Sequence, residues 1–389
     1  MKPERCTPMY MDVVREVERL VWPRKMRLFT AGPVACFPEV LEAMRFQMFS
    51  HRSKEYQELH KDATLRLKSF LGAEKATVLL IPSSGTGFME ASVRNAITPG
   101  GKVLVTVIGE FGNRYKEAVE RNGRIPVVLE KPLGKAVKPE ELDDALKKNP
   151  DVEAVTITYN ETSTGVLNPL RELAKVAKEH GKLVFVDAVS AMGAADIRVD
   201  DWGIDLVFAS SQKAFGLPPG LAMGAVSEEV FERAKKMPER GLYFDLLEIR
   251  EFLVKQWSTP TTPPISIIIG LDVMLRVIEK MGGREAWLKM YSDRAETIRK
   301  GVLELGLELF AEPGYYSPTI TVVYNPPGVK GPVIYEELRK RGIEIAKGYG
   351  KVKDITFRIG HMGYITKEDI DELFKNLREV LAQLGYGKR

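Results

Sequence analysis

The chain has 389 residues, 44% of them hydrophobic and 28% charged, and a formal net charge of +4. This is the composition of a globular protein long enough for two domains, and charge spread without a lysine or arginine block gives no nucleic-acid footprint. Two cysteines, Cys6 and Cys36, are too few for a disulfide framework or a zinc cluster and point to a reducing, cytoplasmic compartment.

The N-terminal "MKPERCTPMY" has no apolar signal core. Residues 1–25, in which "VVREVERLV" carries apolar positions at helical spacing, are expected to form a helical segment packed on a domain or on a partner subunit. From about residue 75, strands alternate with helices. "KATVLLIP", "GKVLVTVI", "RIPVVLE", "VEAVTITY", "KLVFVDAV" and "DLVFASS" are near-continuous apolar runs, the pattern of strands covered on both faces. Between them "NRYKEAVERNG", "PEELDDALKKN" and "PLRELAKVAKEHG" read as helices, two of them closing with glycine after a polar last turn. The repetition predicts an α/β fold with a mostly parallel sheet in a large domain over residues 26–264. After the turn-rich "STPTTPPIS", a long helical region (about 265–305) leads to "PTITVVY", "IEIAKG", "ITFRIGHMG" and the amphipathic "KEDIDELFKNLREVLAQLG". These make a second, smaller α+β domain over residues 265–389. The most apolar run, "ISIIIGLDVML", is short and contains Asp272, so no membrane span is expected.

Open α/β sheets bind ligands at the carboxyl ends of their strands. After "KATVLLIP" comes "SSGTGFMEASVRN", small residues opening a helix, with free backbone N–H groups for an anion and hydroxyls on Ser84 and Thr86. After "GKVLVTVI" comes "GEFGNR" with Phe111, after "VEAVTITY" comes "NETSTGV", and "KLVFV" ends at Asp187. Lys213 follows "DLVFASSQ", 213 − 187 = 26 residues later, ahead of the rigid "GLPPG" turn. Taken singly these are a turn, a core ring, a cap and a surface lysine. One chemistry uses them all: pyridoxal 5'-phosphate needs a phosphate cradle, an aromatic plate, a carboxylate on its pyridine nitrogen and a lysine for a Schiff base. Asp187 would keep the pyridine nitrogen protonated. Lys213, its pKa lowered by burial beside a cationic cofactor, would form the resting imine and then carry the substrate Cα proton.

"VFASSQKAFGLPPG", "VFVDAVSAMG", "NETSTGV", "SSGTGFMEA" and "FRIGHMG" resemble the class V aminotransferases of PLP fold type I, in particular the alanine/serine–glyoxylate branch. The resemblance runs from "FTAGP" to the last helix. It implies a large domain with a seven-stranded, mostly parallel sheet, a smaller C-terminal domain, and a homodimer whose sites are shared between subunits. It also implies that Thr86, Gly87 and Phe88 meet the phosphate, beside Ser84 and Gly85 of the same cofactor-binding turn, and that Phe111 stacks on the ring where relatives often have tryptophan. Thr162 would bond the phenolic oxygen, Gln212 would lie beside the cofactor, and Arg358 would clamp the substrate α-carboxylate. Thr261 would reach the phosphate in the other subunit's site. Where relatives often carry a tyrosine three residues before that threonine, this chain has Ser258, next to Trp257.

Competing readings use fewer residues. A nicotinamide dehydrogenase would claim "GTGFME" and Glu110, but Glu90 stands where the third glycine belongs and Lys213 is left without a role. A cysteine desulfurase needs a cysteine in its C-terminal half, and none occurs after Cys36. A non-catalytic protein on the same fold has no use for Lys213 and Asp187 together. For the substrate, the expectation is alanine or serine as donor and glyoxylate or pyruvate as acceptor. "SHRSKEY" leaves phosphoserine with 2-oxoglutarate as the alternative, with His51 and Arg52 binding an anionic side chain or simply flanking a helix start capped by Ser50 or Ser53.

Overall fold

The computed structural model describes residues 26–386 together with Asp12, Arg15 and Glu16. The expected helix and packing of residues 1–25 lie, but for those three residues, outside the described residues. Among the described residues thirteen strands follow in chain order: β1 Arg27–Phe29, β2 Thr77–Ile81, β3 Lys102–Val107, β4 Ile125–Glu130, β5 Val152–Thr158, β6 Asn160–Glu161, β7 Val166–Leu167, β8 Leu183–Asp187, β9 Leu206–Ser210, β10 Ala222–Val226, β11 Ile320–Tyr324, β12 Ile343–Lys347 and β13 Thr356–Gly360. Seven of them form the large sheet in the order β2-β10-β9-β8-β5-β3-β4. Only β10 runs against its neighbours.

Side-chain alternation explains why this sheet is buried. Val78, Leu80, Leu104, Val184, Val186, Val207 and Ala209 enter one core. Leu79, Ile81, Val103, Val105, Leu183, Phe185, Leu206 and Phe208, one residue out of phase, enter the core on the opposite face. An unbroken apolar run is what a strand needs when helices cover both sides. β4 departs from that expectation. It is the outer strand, with Ile125 and Val128 exposed. β10 carries no strong signal in "LAMGAVS", because Gly224 interrupts it; a Cβ there would stand 2.9 Å from Cζ of Phe88, which needs the space.

The second sheet has the order β1-β12-β13-β11. Two elements sit across the expected boundary at 264 and 265. β1 pairs in parallel with β12, far along the chain. The helix Ile265–Lys280 buries Ile268, Leu271, Met274 and Leu275 in the core of the large sheet, since an apolar surface on nearly every side needs cover all round. No helix among the described residues is long and apolar enough to cross a membrane.

Candidate active site

The ends of β2, β3, β5, β8 and β9 converge on a cavity of about 330 Å³ lined by Ser84, Gly85, Thr86, Phe111, Asn160, Thr162, Asp187, Ser190, Ser210, Gln212 and Lys213 among others. The sequence-predicted residues at the carboxyl edge are thus brought together.

The turn after β9 holds Lys213 in place by closing on itself. Ser211 Oγ donates to the Pro218 carbonyl at 2.6 Å, and Gly216 N–H to the Lys213 carbonyl at 2.8 Å. Gly216 adopts φ +61°, a left-handed conformation suited to glycine. The lysine amine is driven inward and donates to the Ala31 carbonyl at 2.5 Å. Burial lowers its pKa to about 8, helped by Arg358 and Arg114 and opposed by Asp187. An amine with that value is still mostly protonated at neutral pH but has a far larger free-base fraction than an ordinary lysine, which makes it a usable nucleophile. The segment after β1 lies directly against it: a Cβ on Gly32 would stand 2.7 Å from Lys213 Nζ. Sequence reasoning missed Ala31 and Gly32, whose "AGP" is an ordinary turn signal until β1 is paired with β12.

Asp187 ends β8 and accepts from the Val189 N–H at 2.9 Å through Oδ1. Burial, reinforced by the nearby Glu161, raises its carboxyl to about 7 against the pull of that hydrogen bond, Lys213 and Arg114. A cationic partner in the cavity would return it to the charged form.

The helix Gly85–Ala96 begins at Ser84 with no side-chain cap, and Ser84, Gly85 and Thr86 line the cavity, so the positive end of the helix borders it. Gly85 makes this approach possible. Its N–H donates to Ser210 Oγ at 2.7 Å, a separation at which a Cβ would collide with Val189 and Ser210. Gly87 clears the Phe244 ring in the same way. Phe88 points away from the cavity, stacked on Phe208 at 5.8 Å in the core, so it can offer only its backbone.

Phe111 sits in the first turn of the helix Glu110–Arg121. That turn is held by Glu161, which has no exposed surface. Its Oε2 accepts from the N–H groups of Phe111 (3.0 Å) and Gly112 (3.2 Å), and its Oε1 from Ser163 N–H (3.1 Å) and Oγ (2.6 Å). Burial pushes the Glu161 carboxyl upward and these hydrogen bonds oppose it. Gly109 completes the fit, since a Cβ there would stand 2.6 Å from the Glu161 carboxyl carbon. The sequence reading took only Thr162 from "NETSTGV"; an acid one residue from a site threonine was the available signal.

Thr162 Oγ1 shares a hydrogen bond with Ser190 Oγ at 2.7 Å, and Asn160 Nδ2 donates to the same serine at 2.8 Å. Asn160 Oδ1 and Gln212 Oε1 are buried without a protein partner. Two orphaned acceptors, an amine, a carboxylate and an uncapped helix start fit a ligand that carries a phosphate, an aldehyde, a ring nitrogen and a phenolic oxygen.

Arg358, on β13, is buried; its Nε donates to the Lys347 carbonyl at 2.8 Å and a terminal nitrogen to the Thr162 carbonyl at 3.2 Å. Burial pulls its guanidinium down to about 10, with Tyr349 and Glu161 opposing, so it stays charged at neutral pH. Tyr349, with its ring centroid 5.4 Å from the Arg358 guanidinium, lines the cavity, and the sequence reading missed it along with Arg114. His51, Arg52 and Thr261 are not cavity-lining residues of this chain. Arg52 donates to Ser258 Oγ (3.3 Å), the Thr259 carbonyl (2.9 Å) and the Pro260 carbonyl (3.1 Å). His51 stands before Ser53, which caps the helix Lys54–Leu71 by accepting from Tyr56 N–H. Thr261 gives its carbonyl to Thr259 Oγ1 at 2.7 Å.

Known proteins share this arrangement of strands. The family model described as aminotransferase class-V matches residues 28–373. An uncharacterized aminotransferase of Methanocaldococcus jannaschii is 35% identical over 93% of this chain and 94% of that protein. The serine–glyoxylate aminotransferase of Methylorubrum extorquens is 32% identical over 90% of this chain and 88% of its own length. Among solved structures, an alanine–glyoxylate aminotransferase from Nostoc sp. superimposes with a TM-score of 0.88 at 30% identity, covering 92% of this chain and 96% of that one. With a match that spans both sheets and the cavity between them, the chain belongs to the class V aminotransferases of fold type I, pyridoxal-phosphate-dependent enzymes that move an amino group from an amino acid to a 2-oxo acid.

Proposed function

We propose that the amino donor is alanine or serine, that the acceptor is glyoxylate or pyruvate, and that Lys213 and Asp187 are the catalytic pair. The observation that carries these roles is the meeting, at one cavity, of a lysine lowered to about 8 and a buried carboxylate at the end of a neighbouring strand. Bound pyridoxal phosphate supplies an aldehyde that captures amines and a ring that accepts the electrons of the substrate Cα–H bond. Asp187 would hold the proton on the ring nitrogen. Lys213 would hold the cofactor at rest, and its amine, once free, would carry the substrate Cα proton. Ser84, Gly85, Thr86, Gly87 and the Phe88 backbone would hold the phosphate, with Phe111, Thr162 and Gln212 meeting the rest of the cofactor. Arg358 receives the α-carboxylate with the donors left over from Lys347 and Thr162.

Small donors are supported by the relatives named for serine–glyoxylate and alanine–glyoxylate transfer and by the size of the cavity, whereas other relatives are named for aspartate and pyridoxamine. The phosphoserine reading needs a cation for a side-chain anion: Arg52 has its donors on Ser258 and two loop carbonyls, and the cavity-lining Arg114 lies over the Phe111 ring and donates to the Tyr349 hydroxyl. A shared-site homodimer, with Thr261 reaching the second site, is supported by exposed Leu41, Phe46 and Met48. The cytoplasm is the compartment that the cysteine content favours.

Two measurements on the purified enzyme test this. Borohydride treatment of the yellow protein is expected to fix the cofactor on the peptide that contains Lys213, and label on another lysine overturns the assignment. A donor–acceptor screen is expected to rank alanine and serine with glyoxylate or pyruvate first; phosphoserine with 2-oxoglutarate at the top would reverse the substrate reading.

A further inference from the structure

Tyr349 lines the cavity from the second sheet, in the "KGYG" crossing between β12 and β13. Two glycines fix that crossing. A Cβ on Gly348 would stand 2.5 Å from the Thr356 carbonyl oxygen and 2.7 Å from that of Lys353. Gly350, at φ +62°, leaves no room for a Cβ beside the Glu110 carboxylate, and Lys351 N–H donates to that carboxylate at 3.3 Å. The crossing is therefore tied to the first turn of the helix that carries Phe111. The Tyr349 ring lies beside the Phe111 ring with centroids 6.1 Å apart and planes 26° apart. The Arg358 guanidinium lies 5.4 Å from the Tyr349 centroid, within cation–π range, and is not itself part of the cavity lining.

We propose that Tyr349 is the specificity-determining residue of the site: it lets an α-carboxylate past its edge to Arg358 and leaves no room for a donor side chain larger than that of serine. The inference rests on the preceding reading of Arg358 as the carboxylate site. Its physical basis is space and rigidity. Ligand clefts run from roughly 300 to 1,000 Å³, and a cavity of about 330 Å³ has little left once the cofactor is in it. Tyr349 is 39% exposed, but its backbone is fixed by the two close-packed glycines and its ring, with only two torsions, lies beside that of Phe111, so it yields less to a bulkier ligand than a flexible chain would.

The test uses holoenzyme and two carboxylates without an amine, propanoate (alanine-sized) and 4-methylpentanoate (leucine-sized), titrated by calorimetry. The parent is expected to prefer propanoate by about tenfold, the order of selectivity that side-chain size gives in an apolar pocket. Tyr349→Ala is expected to abolish or invert that preference, Tyr349→Val to reduce it, and Tyr349→Phe, which keeps the ring, to retain it. With amino donors, Tyr349→Ala is expected to raise kcat/KM for leucine relative to alanine through a lower KM. A parent without preference, or a preference unchanged in both the alanine and valine variants, overturns the role of Tyr349. Failure of the parent to use alanine or serine would instead sink the donor assignment, while the carboxylate ratio still decides Tyr349.

Discussion

The wall of the cavity built by the large sheet and the wall built by the second sheet differ in how their residues arrive. Asp187 ends β8, and Lys213 follows β9 by three residues. Their places follow from parallel strands that are buried on both faces and cannot shift register without moving a whole core. Tyr349 and Arg358 reach the site from a sheet whose first strand, β1, comes from the other end of the chain. Its crossing is fastened by two tight glycines and by one carboxylate on the Phe111 helix. The difference teaches that the groups proposed to react stand on the edge of a sheet buried on both faces, while the contacts proposed to select a substrate hang on a fastening between sheets.

Asp187→Asn should break the first wall most severely. Losing a charge aimed at the ring nitrogen is expected to cut turnover by roughly 10²–10³-fold, the scale for one preorganised electrostatic group, and activity within a few-fold of the parent would make Asp187 a structural residue. The same variant has a pH signature in the cofactor-free protein. Between the ordinary aspartate value of 3.8 and about 7, the folded chain holds a proton that the unfolded chain has lost, so this group's contribution to stability falls as pH rises through that window. The variant is therefore expected to gain melting temperature over the parent at pH 8 and to lose that gain by pH 4. A gain independent of pH would show that Asp187 is not buried as a carboxyl.

Glu161 sharpens the comparison because it holds the turn to which both walls connect. Glu161→Ala would leave the buried N–H groups of Phe111 and Gly112 without an acceptor, at about 1–3 kcal/mol for each such group. The expected result is a clear drop in the denaturant midpoint together with weaker cofactor retention, and Glu161→Gln should recover part of both. Unchanged stability would mean that water replaces the carboxylate.

The smallest effect is expected at Arg52, which stands outside either wall. Arg52→Ala should cost about 1 kcal/mol of stability, as for a partly exposed group losing charged hydrogen bonds, and lower all substrates alike. A selective loss of acidic substrates would bring Arg52 into the site and favour the phosphoserine alternative.

The sequence by itself determined the large sheet and the groups at its carboxyl edge. Each is a local pattern: an apolar run long enough to be covered on both faces, then a Gly-rich turn, a carboxylate or a lysine at its end. β4 and β10 mark the limit, since an edge position and a glycine that makes room for Phe88 are set by neighbours distant in sequence. Arg358 was found through family resemblance, and the aromatic plate Phe111 through its place after a strand. Only the tertiary structure decided that Glu161 holds the turn of Phe111, that Ala31 and Gly32 lie against Lys213, that Tyr349 packs beside Arg358, and that Arg52 serves a loop. The hydrogen bonds among these contacts join residues from 50 to about 200 positions apart, and such partners meet only once distant elements have packed, β1 against β12 in the case of Ala31 and Lys213.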